Sequence, residues 1–258
     1  MSGRLVNKVA LITGAGRGIG QAIAEKMAVE GAAVVIAEID QKSGQQTAAD
    51  LSAKGLSALF VHTDITQEDS VQNAVARAVE QFGGLDILVN NAGMNFYFDA
   101  TQMSSEDWDR AMAVDLKGAW LCCKYAIPAM RQRGGGAIVN IASVHATMTT
   151  YGMFPYAAAK SGLIGMTRSL ALDWAAENIR VVAVSPGWVR TYLVDEWLSK
   201  QADPQAAEAQ VLKTLPLGRM ATPQDVANLV AFVASDEAAY LTGTEIIIDG
   251  GVTAKFAT

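Results

Sequence analysis

The chain has 258 residues, 51% of them apolar and only 18% charged, where a charged share of roughly 25% is usual. That length suits one large α/β domain, and the low charge leaves surface for apolar contacts between subunits, so an oligomer is expected. A net charge of −6 with 20 scattered basic residues repels phosphate backbones and anionic lipid, which argues against nucleic acid and membrane surfaces as partners.

In chain order, short β-branched runs at 9–12, 34–37, 58–62, 87–89, 138–141, 181–184 and 245–248 read as strands. They are near-continuous apolar stretches, as expected for strands covered on both faces. Helical spacing fills segments between them, at 19–30, 68–82, 108–130, 156–176 and 224–234. Gly31 stops the first of these helices, and Thr222-Pro223 has the form of a cap followed by proline at the first helical position. The alternation predicts an α/β chain with a mainly parallel sheet and helices on both faces, forming one domain over 1–258. The stretch 192–215 interrupts the pattern. It is polar and helix-prone, carries Asp203-Pro204, and follows a strand's carboxyl end, where ligands bind in open α/β sheets. A substrate lid is expected there.

Cys122 and Cys123 are neighbours in sequence, a spacing that rarely bridges and that offers no metal-type pairing with histidine. Packing in a reducing compartment is expected of them, with no metal site. The apolar run within residues 1–11 is too short for a signal peptide, and no segment has the length of a membrane span, which points to a cytoplasmic protein.

Between the first strand and first helix lie Gly14, Gly18 and Gly20, with Arg17 and Ile19 among them. A helix N-terminus offers unpaired N–H groups and partial positive charge to a pyrophosphate, and glycine lets the backbone approach it without a Cβ. The turn does not meet the G-x-G-x-x-G pattern, because Ile19 stands where its last glycine would fall. Glu38 closes the second strand, about where an acid meets the adenosine ribose of a dinucleotide. Its carboxylate can accept from ribose hydroxyls and repels a 2′-phosphate, so NAD is expected. Arg17 pulls toward NADP, since a guanidinium in the turn could hold that phosphate.

Tyr156 and Lys160 are four apart in an Ala-rich stretch opened by Pro155, and so project from one helical face. Such pairs are common on surface helices and decide nothing alone. An ammonium at about 4 Å favours a phenolate by roughly 4 kcal/mol at an effective dielectric near 20, but by only about 1 kcal/mol in bulk water. The pair therefore serves acid–base chemistry only in a cleft that restricts water. Ser143, at the carboxyl end of the fifth strand, is suited to donate to a substrate oxygen; His145 on the same loop either touches substrate or fills space.

Together, the Gly14/Gly18/Gly20 turn, Asn90-Asn91-Ala92-Gly93, Ser143, Tyr156-Ala157-Ala158-Ala159-Lys160, Ser185-Pro186-Gly187, Leu241-Thr242-Gly243 and Asp249-Gly250-Gly251 resemble the short-chain dehydrogenase/reductase family. The resemblance runs in order over nearly the whole chain. It implies a seven-stranded, three-layer Rossmann-like fold, commonly a homotetramer, and an NAD(P)-dependent oxidoreductase acting on a secondary alcohol or carbonyl. It implies Ser143 as donor to the substrate oxygen, Tyr156 as general acid/base, and Lys160 as the group that activates the tyrosine and holds the nicotinamide ribose. By the same match Asp64 and Ile65 would border the adenine, Asn91 and Gly93 the adenosine side, and Val189 and Thr191 the nicotinamide amide, with Pro186 and Gly187 also against the cofactor. One position departs: Asp115 stands where the family's fourth catalytic residue is usually Asn. An aspartate can accept hydrogen bonds and order a proton-relaying water, but cannot donate an amide N–H, and when ionised it would offset part of Lys160's effect on Tyr156.

Ser143-Val144-His145 and Gly152-Met153-Phe154-Pro155 look like the family's branch of sugar, polyol and sugar-acid dehydrogenases. The pocket is expected to be lined by His145, Phe154, Trp188, Asn95 and Arg190, the last suited to a substrate carboxylate. A 3-oxoacyl-thioester (carrier-protein) reductase is the alternative, disfavoured by Glu38 because such reductases usually run on NADPH. A catalytically inactive dinucleotide-sensing regulator is more remote, because Ser143, Tyr156 and Lys160 are all present.

Overall fold

Strands and helices alternate along the computed structural model, which describes residues 3–255; the ends of the expected 1–258 domain lie outside the described residues. The order is β1 (Val9–Thr13), α1 (Gly18–Val29), β2 (Ala33–Glu38), α2 (Gln41–Ala53), β3 (Ala58–His62), α3 (Glu68–Phe82), β4 (Ile87–Asn90) and α4 (Ser105–Met112). A π-helical turn (Ala113–Lys117) leads into α5 (Gly118–Gln132), β5 (Gly136–Ile141), α6 (Tyr156–Trp174) and β6 (Ile179–Pro186). The chain continues through α7 (Tyr192–Ser199), α8 (Pro204–Thr214), α9 (Pro223–Ala234) and β7 (Glu245–Ile248).

The seven strands form one sheet in the order β3-β2-β1-β4-β5-β6-β7, and every pairing is parallel. Side chains alternate across each strand, and both faces are buried. Ala10 and Ile12 of β1, Val34 and Ile36 of β2, and Val182 and Val184 of β6 pack with α1 and α9. Val9, Leu11, Val35, Ala37 and Val181 pack on the opposite face with α3 and α5. Cys122 and Cys123 belong to that second layer as buried free thiols, and burial pushes both toward the protonated form.

The strand order reverses between β1 and β4, so the chain leaves those two carboxyl ends in opposite directions and opens a crevice there. The expected stop at Gly31 is present, with φ +99° just past α1. Thr222 and Asp225 form a reciprocal capping box, with Pro223 in the first turn of α9.

Three expectations change. The 108–130 helix begins earlier, because Ser104 caps α4 by accepting from the Asp107 N–H, and it is interrupted by the π turn around Asp115. The helix α2 falls in a polar stretch whose spacing carries little apolar signal; its start is fixed by Asp40, whose side chain accepts from the Ser43 N–H. The 192–215 stretch is two helices, α7 and α8, joined by a short turn capped by Asp203. Among the described residues, no helix is long and apolar enough to cross a membrane.

Candidate active site

The glycine turn between β1 and α1 is shaped by close approach. Gly14 has φ +64°, and a Cβ there would lie 2.9 Å from the Ala92 Cα; at Gly20 it would lie 2.2 Å from the Gly14 carbonyl oxygen. Asn91 braces this turn from the end of β4. Its Nδ2 donates to the Thr13 and Gly14 carbonyls at 2.9 and 3.1 Å, while the Asn91 and Ala92 N–H groups both donate to Thr13 Oγ1 at 3.0 Å. Asn91 thus spends its side-chain donors on the turn itself. The N-terminus of α1 has no side-chain cap, which leaves the N–H groups of its first turn available to an anion.

Glu38 is buried over the same turn. It accepts from the Gly16 N–H at 3.0 Å, and its other oxygen accepts from the Ile39 and Asp40 N–H groups at 2.9 and 3.0 Å. A carboxylate has about four acceptor positions, so roughly one remains for a ribose hydroxyl rather than the two expected. Arg17 does not face that acid. Its guanidinium lies over the Tyr192 ring at 3.7 Å, where the aromatic face at the start of α7 engages the cation.

Other expected cofactor residues are distributed along the crevice. Asp64 lies in the turn between β3 and α3, where its Oδ1 accepts from the Thr66 N–H and hydroxyl at 2.9 and 2.7 Å. Ile65 is buried against Gly118, where a Cβ would come within 2.6 Å of its Cδ1. Ile19 packs into the α1 layer. Pro186 ends β6 and the Gly187 N–H continues the ladder to the Ile248 carbonyl at 3.0 Å. Val189 bridges to Ala221, and Thr191 precedes α7, beside Gly18.

The acid–base group assembles where β5, α6 and the π turn meet. Tyr156 is half-buried in the first turn of α6. Lys160 lies one turn on, buried, with Nζ 5.5 Å from the centre of the Tyr156 ring and donating to the Ile141 carbonyl at 3.2 Å. That carbonyl is the last of β5; Ser143 follows two residues later, buried, its Oγ accepting from the His145 N–H at 3.2 Å. Ser161 pins this loop to α6 by donating to the Ala146 carbonyl at 2.8 Å. Asp115 is 2% exposed. Its Oδ1 accepts from the Met94 N–H at 3.0 Å and lies 3.7 Å from Lys160 Nζ. Gly93 passes between them: a Cβ there would fall 2.7 Å from Asp115 Oδ1 and 3.2 Å from Lys160 Nζ.

The expected substrate residues divide. The His145 ring stands edge-on to Tyr156 with centroids 6.1 Å apart, its Nδ1 is 3.2 Å from Thr149 Oγ1, and burial lowers its pKa, which favours the neutral ring. Phe154 tilts against Trp108 at 5.7 Å. Trp188 meets Trp197 of α7 at 5.4 Å within an apolar cluster. Asn95 is half-buried in the loop after β4. Arg190 pairs with Asp195 of α7 at 2.7 Å and with Glu208 of α8.

Sequence reasoning missed Tyr97. Its backbone bridges to Pro155, and the neighbouring Phe98 N–H donates to the Phe154 carbonyl at 2.9 Å. Burial, and to a lesser degree the nearby Tyr156, pushes its phenol above the usual tyrosine range. Its position in the loop after β4, at the sheet's carboxyl edge, was the available signal.

A parallel sheet with a reversal at β1/β4, a glycine turn at that reversal and a Tyr–Lys pair beside it define a dinucleotide-dependent oxidoreductase class, and the comparisons agree. Residues 14–253 match the family model described as enoyl-(acyl carrier protein) reductase. The trans-4-hydroxycyclohexanecarboxylate dehydrogenase of Sinomonas cyclohexanicum is 40% identical over 260 residues, covering 98% of this chain and 96% of that protein. The cyclohexanol dehydrogenase of Acinetobacter sp. strain SE19 is 37% identical over 256 residues, covering 99% and 98%. A crystal structure of a short-chain type dehydrogenase/reductase from Mycobacterium marinum superposes with a TM-score of 0.90 at 33% identity, covering 97% of each chain. The chain belongs to the short-chain dehydrogenase/reductase family.

Proposed function

We propose that this protein is an NAD(H)-dependent dehydrogenase of small, uncharged, ring-sized secondary alcohols, running in reverse as a ketone reductase. The observation that carries the reading is the convergence of Ser143, Tyr156 and buried Lys160 at the carboxyl end of β5, across the crevice from a glycine turn with an uncapped helix behind it. The residues fit a dinucleotide: Gly14, Gly18, Ile19 and Gly20 would receive the pyrophosphate; Glu38, Asp64, Ile65, Asn91 and Gly93 would serve the adenosine side; Lys160, Pro186, Gly187, Val189 and Thr191 would serve the nicotinamide end. When bound, the nicotinamide supplies hydride acceptance and donation.

The chain's own residues supply everything else. Ser143 Oγ donates to the substrate oxygen and orients it. Tyr156, as its phenolate, takes the hydroxyl proton during alcohol oxidation and returns it during ketone reduction. Lys160, shielded from bulk water, holds its ammonium 5.5 Å from the centre of the Tyr156 ring.

Charge and wall chemistry support the substrate class. Arg190 is already paired with Asp195 and Glu208, which leaves it poorly suited to a sugar acid or other carboxylate. Phe154, two residues before Tyr156, pairs with Trp108, and Trp188, two residues after Pro186, pairs with Trp197; aromatic walls of this kind suit a carbocycle better than a polyol. The name of one relative, a dehydrogenase of cyclohexanol, points the same way, and that of a second, a dehydrogenase of a hydroxycyclohexanecarboxylate, agrees in the ring but not in the charge. Glu38, anionic and facing the turn, supports NAD over NADP. The test is a coupled screen of cyclohexanol, 4-hydroxycyclohexanecarboxylate, aldoses, aldonates and 3-oxoacyl thioesters with both cofactors. Highest kcat/KM on the neutral ring alcohol with NAD is expected; preference for an aldonate or a thioester sinks the reading.

A further inference from the structure

Asp115 is the most deeply buried carboxylate at the site, and its surroundings do not suit an anion. One oxygen, Oδ1, accepts from the Met94 N–H at 3.0 Å. The other, Oδ2, is fully shielded and meets no protein donor. Lys160 comes no nearer than 3.7 Å to Oδ1 and gives its hydrogen bond to the Ile141 carbonyl at 3.2 Å instead. An ionised carboxylate hydrogen-bonded to an ammonium closes to about 2.7–2.9 Å, and one left with a bare oxygen in a desolvated site costs several kcal/mol. A proton on Oδ2 removes the buried charge, the larger of the two costs, and accounts for the open 3.7 Å separation from Lys160. It converts the group into one acceptor oxygen and one O–H donor, the hydrogen-bonding character of a carboxamide.

We propose that Asp115 is held as the neutral acid at neutral pH, with Oδ2–H available as a donor inside the site and the charge of Lys160 left unopposed beside Tyr156. The groups facing it are few. From α6 come Lys160 and Tyr156, from the loop after β4 only the Met94 N–H, and from β5 the carbonyl that engages Lys160; Lys117 of the same π turn is exposed. Burial raises the carboxyl above its usual range, and Lys160, second in weight, opposes this. The π turn contributes to the arrangement, because Asp115 lies within its wider winding, buried against Gly93 and Lys160. Asp115 is then a positioning residue that acts through Lys160. That role rests on the proposed function, whereas its protonation state does not.

The experiment is carbon NMR of the full chain labelled with ¹³C at the aspartate side-chain carboxyls, titrated across neutrality, with Asp115→Asn assigning the signal. One aspartate resonance should remain at the carboxylic-acid position at pH 7, and it should be missing from the variant. If all aspartates resonate as carboxylates at pH 7, the proposal is wrong. Thermal unfolding gives a second reading. Loss of a neutral acid to an amide should shift Tm by no more than about 3 °C at pH 7, whereas breaking a buried ion pair lowers it by roughly 10 °C, and a fall of that size overturns the proposal. Should the variant not fold, the wild-type titration alone decides. Absence of turnover on every alcohol overturns the proposed function and leaves the resonance test intact.

Discussion

The Lys160 ammonium lies 5.5 Å from the centre of the Tyr156 ring while its hydrogen bond goes to the Ile141 carbonyl at the end of β5. The lysine is thus fixed by the sheet rather than by the tyrosine, and its charge reaches the phenol through space. Replacing the phenol oxygen by hydrogen removes the proton-transfer atom and leaves this frame untouched. Tyr156→Phe should lower kcat by at least about 10²–10⁴-fold, with NADH binding followed by fluorescence unchanged within a few-fold. A variant retaining full turnover contradicts the assignment.

Gly93 tests how tightly the site is built. A methyl group there would stand 2.7 Å from Asp115 Oδ1 and 3.2 Å from Lys160 Nζ. Gly93→Ala should cost about 1–3 kcal/mol through overpacking, read as a lower Tm, and should reduce kcat more than it raises KM, because the methyl group displaces Asp115 Oδ1 first and crowds Lys160 Nζ beside it.

Glu38 bears on cofactor choice. Removing its charge while keeping its shape, as in Glu38→Gln, should raise the ratio of kcat/KM with NADP to that with NAD by about tenfold or more, since like charges brought together cost upward of a kcal/mol. Some stability should be lost as well, because the new amide NH₂ must face either the Gly16 N–H or the Ile39 and Asp40 N–H groups now satisfied by carboxylate oxygens. No change in cofactor ratio would remove Glu38 from the specificity argument.

Acid stability should depend on Glu30. Hydrogen bonds from Arg4 and Lys26 hold its carboxyl at about 2, below the ordinary 4.5. A depressed folded-state value contributes stability above the unfolded value and loses it as pH falls through the folded one. In wild type, the Tm advantage over Glu30→Gln should therefore be full at pH 6 and shrink between about pH 4.5 and 2. The difference at neutral pH should be a few degrees. An advantage independent of pH would place the effect elsewhere.

Much of this was written in the chain. All seven strands fall within a residue or two of their apolar runs, because a strand buried on both faces cannot hide its composition. Ser143, Tyr156 and Lys160 stood out through the family resemblance their motifs carry, since a Tyr–Lys pair four apart decides nothing alone. What the sequence could not show were choices among neighbours. Nothing in residues 190–208 says that Arg190 folds back onto Asp195 and Glu208, or that Arg17 prefers the Tyr192 face to a phosphate site; both are decided by where α7 lands. The π turn was equally hidden, since one extra residue of winding leaves no trace in apolar spacing. Tyr97 was overlooked because its loop has no periodicity, only a position.

The contact between Arg17 and Tyr192 ties two events into one equilibrium. The guanidinium belongs to the glycine turn, and the ring belongs to the first residue of the α7–α8 helix pair. On the proposed function, a dinucleotide that drew Arg17 away would release the Tyr192 ring, and a ligand that seated α7 would alter the hold on the dinucleotide by the same factor, as reciprocity between linked sites requires. The order in which the two molecules arrive can be biased by this one aromatic face, far from the atoms that exchange a hydride.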